Sequence, residues 1–283
     1  MNRLDSIQKS AVANSVKSYQ TGYVLQVEKE VGFAGKDVLE VGGSLPELFV
    51  LEGLGVRSWT AVEYVEYYDY CGFSYPGQSI DTTFEAIAAQ KRFKIKPYQV
   101  INGKIECLPF PLFSKFDVVF SIAALPFLHA IPMATEKIFQ ALKVGGYYCA
   151  SASPIWSCYN GHVLTSIESA SGEEYHFGNS PIPPWGHLLM NPPQMYDFLC
   201  RKTDRETAAK ITYEVYNSQR ANRFFLEDYR EFVRISPFAK GSFRPVFNSP
   251  VPTEIQERLT VLHPGYQNFC AQGFQISLFR DRE

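Results

Sequence analysis

The chain has 283 residues, 46% of them hydrophobic, 15% aromatic and 20% charged, the composition of a globular protein that can bury a sizeable core without a metal or disulfide staple. With 27 Lys+Arg against 29 Asp+Glu and a formal charge of -2, it lacks the basic footprint that phosphate-backbone binding relies on, so nucleic acid is excluded as an expected partner. The polar N-terminus has no apolar signal core, the longest apolar stretch (116–133) is broken by Asp117, His129 and two prolines, and the six cysteines show no C-x-x-C spacing. These features predict reduced thiols in a cytoplasmic protein with no metal centre and no membrane segment.

From Asp5 to Lys29, the residues Ile7, Val12, Val16, Tyr23, Val24 and Val27 recur at helical spacing and predict one or two amphipathic helices. Val38 to Val41 is a short β-branched run, interrupted by Gly42-Gly43-Ser44 before Leu45 to Leu51 resumes with helical spacing: strand, glycine turn, helix. Further strands are expected at 58–63, 98–101 and 116–121, with a helix from Thr83 to Arg92 between the first two. A helix over 125–142 is expected to stop at Lys143-Val144-Gly145-Gly146 and a fifth strand to run from Tyr147 to Ala152. This alternation specifies a parallel sheet with helices on both faces.

The rhythm changes after Ser153. Residues 154–193 are rich in proline and glycine and aperiodic, as functional insertions are. Helices follow near 193–202, 206–218 and 226–235, then strand-like runs at 243–247 and 274–279 around a helix at 254–262. The organisation predicted is an N-terminal helical cap (1–30), a Rossmann-like half (31–152), an inserted lid (153–235) and closing strands (236–283).

Glu40-Val41-Gly42-Gly43-Ser44 at a strand end is a device for bringing backbone close to a ligand, and Glu63, about twenty residues on, ends the next strand where ribose hydroxyls find an acceptor. Both features belong to the carboxyl edge, where open parallel sheets bind ligands.

Taken in order, Val38-Leu39-Glu40-Val41-Gly42-Gly43, Ala61-Val62-Glu63, Leu108-Pro109-Phe110, Phe116-Asp117-Val118-Val119-Phe120-Ser121, His129 and Ala141-Leu142-Lys143-Val144-Gly145-Gly146-Tyr147 resemble the class I S-adenosylmethionine-dependent methyltransferases of small molecules. The resemblance implies an α/β, doubly wound, seven-stranded sheet with an antiparallel last strand and an inserted lid. It implies S-adenosylmethionine as cofactor and S-adenosylhomocysteine as product. Glu40, Gly42, Gly43 and Ser44 would hold the methionine part, Glu63 the ribose, and Ile105 and Glu106 would lie by the adenine. Ser121 would line the floor near the sulfonium. The family's Gly-x-Gly-x-Gly is here Gly42-x-Ser44-x-Pro46, a departure that keeps an inert binding or regulatory protein as the alternative. A dehydrogenase is disfavoured by the missing third glycine of the dinucleotide fingerprint.

By the same resemblance the acceptor pocket draws on Tyr19 and Tyr23 and on Trp156, Tyr159 and Trp185. The expected reaction is O-methylation of a hydroxyl on an apolar or natural-product-like metabolite. An acceptor hydroxyl must lose its proton, and histidine is the side chain poised to take it near neutral pH, which names His162, His187 and His129 as candidates. His162 and His187 each follow a glycine, so a turn with the ring bonded to backbone is the competing reading.

Overall fold

Helix α1 (Arg3–Ala13) starts where the Asn2 side chain accepts the Asp5 N–H, and it buries Ile7 and Ala11. It stops where Asn14 turns its side-chain amide back to the Ser10 carbonyl and Ser15 takes a φ of 57°. Helix α2 (Ser18–Glu30) follows, with Tyr23, Val24 and Val27 buried, so the N-terminal periodicity resolves into two helices. The computed structural model describes residues 2–43, 45–71 and 74–281.

The strands in chain order are β1 (Asp37–Val41), β2 (Ser58–Glu63), β3 (Thr82–Thr83), β4 (Tyr98–Asn102), β5 (Phe116–Ile122), β6 (Leu142–Ala152), β7 (Ile167–Glu168), β8 (Glu174–Tyr175), β9 (Lys240–Asn248) and β10 (Ala271–Phe279). Eight of them form one sheet in the order β3-β4-β2-β1-β5-β6-β10-β9, while β7 and β8 pair separately. Neighbours from β3 to β6 are parallel. Arg280 exchanges hydrogen bonds with Gly145 and Gly146, and a Cβ on Gly273 would meet the Ala152 carbonyl, so β10 runs antiparallel to β6. The sheet thus has eight strands rather than the expected seven. The addition is β3, two threonines too short to leave a periodic signal.

Helices α3 (Val65–Tyr70), α4 (Phe84–Ala88) and α5 (Ile131–Ala141) connect the parallel strands. Three boundaries depart from expectation. The helix predicted over 45–51 is a five-residue π turn, Phe49–Gly53. It opens with an ordinary helical bond, the Val50 N–H reaching the Pro46 carbonyl at 3.1 Å, while the Leu45 N–H just before it is held by Glu40. The helix predicted from 125 begins at Ile131, after a separate 3-10 turn at Leu125–Phe127. Gly145 and Gly146 do not stop that helix but lie within β6, at the bulge where the register steps from Phe116↔Leu142 to Val118↔Tyr147.

By its contacts the chain divides into two units. The first is Met1–Ser151 with Phe232–Phe243 and Gln275–Glu283, and the second is Ala152–Glu231 with Arg244–Phe274. The first unit's core gathers Val24, Phe33, Phe49, Trp59 and Phe120. Its amino edge is closed by charge. Asp37 accepts from Arg57 Nε at 2.8 Å, Ser58 Oγ at 2.8 Å and Lys143 Nζ at 2.9 Å, and Asp117 takes Lys143 Nζ and Arg57 Nη2, each at 3.0 Å. The Arg57 guanidinium above all holds the Asp37 carboxyl well below the usual carboxylate range.

The second unit contains α6 (Gly186–Leu189), α7 (Pro192–Leu199), α8 (Arg205–Tyr216), most of α9 (Leu226–Arg234) and α10 (Thr253–Leu262). Asn191 and Gln194 form a reciprocal cap on α7, and the Asp204 side chain caps α8. Its core is Trp156, Leu164, Trp185, Met195, Ile211 and Phe269 with their neighbours. Among the described residues no helix is long and apolar enough to cross a membrane.

Candidate functional site

Glu40 faces Ala61 across the β1–β2 ladder, and alternate residues of a strand share a face, so Trp59, Ala61 and Glu63 all lie on the side that Glu40 occupies. Two carboxylates are thereby buried together at the carboxyl edge, Glu40 at 2% exposure and Glu63 at 4%. Glu40 spends a single oxygen on the protein: Oε2 accepts the Trp59 indole N–H at 2.7 Å and the Leu45 amide at 2.9 Å. Its Oε1 lies beside Gly43, where a Cβ would come within 2.9 Å of it, so the glycine makes room for the carboxylate. At Gly42 the φ is 71° and a Cβ would overlap that of Ala124 at 2.3 Å, which leaves glycine the residue for this turn.

Burial pushes Glu40 up to about 7 against the pull of its two donors. Glu63 goes further, to about 8, through burial first and then repulsion from Glu40. Among the described residues no hydrogen-bond donor reaches the Glu63 carboxylate. A buried carboxyl in that state has both oxygens open to further donors.

Around the two carboxylates the neighbouring turns are pinned. The Gly103 N–H reaches the Glu63 carbonyl at 2.7 Å, Tyr98 Oη donates to the Leu45 carbonyl at 2.9 Å, and Ser121 Oγ donates to the Val41 carbonyl at 2.9 Å. Ser121 is thus a tie between β5 and β1. Ile105 is buried and opens a 3-10 turn, with Glu106 half-buried beside it. Ser44 lies outside the described residues. A run of rings crosses the same region: Tyr75 meets Tyr68 at 5.2 Å, and Tyr67 meets both Tyr68 and Phe127 at 5.6 Å. Burial raises the Tyr68 phenol, and the nearby Glu63 raises it further.

Sequence reasoning passed over Trp59, Tyr68, Tyr75 and Tyr98. The signal for Trp59 was there: it stands four residues before Glu63, on the same strand face. The tyrosines announced themselves only as a dense run, Tyr64, Tyr67, Tyr68 and Tyr70, with no periodicity to aim them.

The remaining expected residues separate. Tyr23 is buried in the first unit's core, stacked on Phe120 at 5.5 Å, whereas Tyr19 is 55% exposed. His129 is exposed in the first unit, between the Leu125–Phe127 turn and α5. His162, His187, Trp156, Tyr159 and Trp185 come together inside the second unit, with ring centroids 4.7 Å apart for Trp156 and His187, 5.6 Å for the two histidines and 6.1 Å for Tyr159 and Trp185. His162 Nδ1 accepts the Leu164 N–H at 3.1 Å, and burial, helped by Arg220, lowers its pKa to about 4. His187 donates Nε2–H to the Trp156 carbonyl at 2.8 Å, its Nδ1 is buried without a partner, and burial lowers it to about 3. These are histidines held neutral inside a core. The expectation that they act as bases meets a physical obstacle: one lone pair is occupied and the other is sealed from solvent.

A family model described as a methyltransferase domain matches residues 62–150. No curated protein matches the chain. Similar solved structures include an S-adenosylmethionine-dependent methyltransferase from Mesorhizobium loti, 14% identical over 89% of this chain and 95% of that one with a TM-score of 0.45. Another is phosphoethanolamine N-methyltransferase 2 of Haemonchus contortus in complex with S-adenosyl-L-methionine, 12% identical over 99% of this chain and 57% of that one with a TM-score of 0.49. A third comes from the complex of the Haloferax volcanii Trm112 methyltransferase activator with a methyltransferase, 13% identical over 100% and 99% with a TM-score of 0.46. The matched segment runs from the tip of β2 into β6, the strands that frame Glu63, so this stretch of the chain is similar to a methyltransferase domain.

Proposed function

We propose that the protein transfers a methyl group from S-adenosylmethionine to a hydroxyl oxygen of a small, apolar acceptor. The observation that carries the reading is the Glu63 carboxylate, buried at the strand tips with no donor among the described residues. It suits two ribose hydroxyls. Oε1 of Glu40 and the backbone at Gly42 and Gly43 would take the methionine portion, and Ile105 and Glu106 would flank the base. When bound, the cofactor supplies a methyl group already activated by a cationic sulfur.

The protein's own share is alignment, exclusion of water and removal of one proton. Tyr67, Tyr68, Tyr75 and Phe127 present apolar faces with phenolic tips, which supports an acceptor having an apolar body and a hydroxyl. His129 stands with the strand tips in the first unit and is exposed, so its imidazole is the candidate to take the acceptor's proton as the new bond forms. A cell extract incubated with the protein and cofactor labelled in its methyl group, followed by mass spectrometry, tests this. The expected result is one labelled apolar metabolite whose formation by His129→Ala falls about 10²-fold with cofactor affinity unchanged. Labelling of no compound by folded protein contradicts the proposal.

A further inference from the structure

The carboxyl edge buries two like charges on adjacent strands and supplies donors to only one of them. Trp59 and Leu45 both address Oε2 of Glu40, whereas Glu63 has no donor among the described residues. The groups that face the pair are Tyr68 on the Glu63 side, with Tyr75, Cys71 and Tyr19 beyond it, and Tyr98 on the Glu40 side, with Glu47 and Asp81 beyond it. None of these carries positive charge. Two buried carboxylates with no cation facing them among the described residues cannot both ionise at little cost, so one of them keeps a proton. The Leu45 amide and the Trp59 indole N–H decide which: both favour the charged form of Glu40 and leave Glu63 as the acid.

We propose that the empty site holds a proton on Glu63, that binding of the cofactor's nucleoside part expels this proton to solvent, and that Trp59 is the positioning residue that keeps Glu40 charged. The inference rests on the methyl-donor reading above. A protonated Glu63 has one hydroxyl of its own to place and accepts poorly at that oxygen. Two ribose hydroxyls that donate to both oxygens require the carboxylate, so the O–H bond of Glu63 breaks, its electron pair stays on oxygen and the proton leaves to the buffer. Burial first and then repulsion from Glu40 push the Glu63 carboxyl up to about 8, in agreement with this. Affinity for the nucleoside then rises with pH up to about 8 and levels off above it.

Titration calorimetry with S-adenosylhomocysteine at pH 7.5, in phosphate and in Tris, reads the proton directly, because the two buffers differ in ionisation enthalpy. The expected result is release of about 0.5–1 proton per ligand by the unaltered protein. Glu63→Gln, which preserves shape, is expected to bind more weakly and to release none. Trp59→Phe is expected to release more protons than the unaltered protein, because Glu40 then also arrives protonated; a variant with merely loosened packing would bind less without changing the count. Trp59 is wholly buried against Phe33 and Phe120, so its variant is read only after its circular dichroism matches, and the Glu63→Gln arm stands without it. Binding with no buffer dependence overturns the proton linkage and leaves the donor-binding reading intact. An unchanged count in folded Trp59→Phe overturns the role given to Trp59. Absence of binding by folded, unaltered protein overturns both readings.

Discussion

At the start of β1, Asp37 meets Arg57, Lys143 and Ser58, and Asp117 on the neighbouring β5 shares the two cations. Three residues further along the same strand, Glu40 meets two neutral donors and a second carboxylate, Glu63, that has none among the described residues. The same strands therefore carry acidic residues in opposite electrostatic states. The amino edge is complete in itself, with its opposite charges paired. The carboxyl edge buries two like charges with donors to only one of them among the described residues, and it is this end that costs stability. Sites that bind are commonly built from such locally unfavourable groups.

Carboxylate-to-amide substitutions sharpen the contrast because they should have opposite signs at the two ends. Asp37→Asn removes the charge that Arg57 and Lys143 address and is expected to cost about 2 kcal/mol, discounted for the exposure of Arg57, lowering the melting temperature by several degrees. Glu63→Gln removes a buried, unpaired acid and is expected to stabilise the empty protein at pH 8 by about 1–2 kcal/mol, a rise of a few degrees in the same scan. A loss of stability in Glu63→Gln would erase the distinction between the edges.

The pH dependence follows with the sign set by each shift. Glu63 is raised from 4.5 to about 8 in the folded protein, so between those values the folded state binds more protons than the unfolded one. Its contribution therefore makes the empty protein lose stability as pH rises from about 4.5 to about 8, with no further loss above. Asp37 is lowered, so its contribution is present above its unfolded value and disappears as pH falls below about 4. Denaturant titrations of the unaltered protein and of Glu63→Gln at pH 5.5 and 8 check the first statement: their difference should grow with pH. The smallest effect expected is that of Arg57→Ala, under about 1 kcal/mol, because its side chain is 57% exposed and Lys143 still bridges both aspartates.

Much of this architecture is legible in the chain. The β-branched runs at Val38–Val41 and Phe116–Ser121 and the spacing of Glu40 from Glu63 place the parallel strands and the two carboxylates near their tips. Other features depend on contacts no local pattern records. The hold of Glu40 on the Leu45 N–H spans a turn with no periodicity, and β3 exists only by pairing with β4. His162 and His187 looked like candidate bases because loop histidines near glycines are indistinguishable, in sequence, from histidines folded into a second core. Only burial separates the two. The spacing of Trp59 from Glu63 gave its strand face, but a strand tryptophan reads as core filling until its N–H is seen on a carboxylate.

The central claim is that Glu63 waits for a ligand's hydroxyl donors at the carboxyl edge. Calorimetric binding of S-adenosylhomocysteine to the unaltered protein and to Glu63→Ala, each confirmed folded, tests it most directly. The account predicts micromolar affinity that falls about 10²-fold or more in the variant, from the loss of two charge-assisted hydrogen bonds. Equal affinities, or a folded protein that binds nothing, would contradict it.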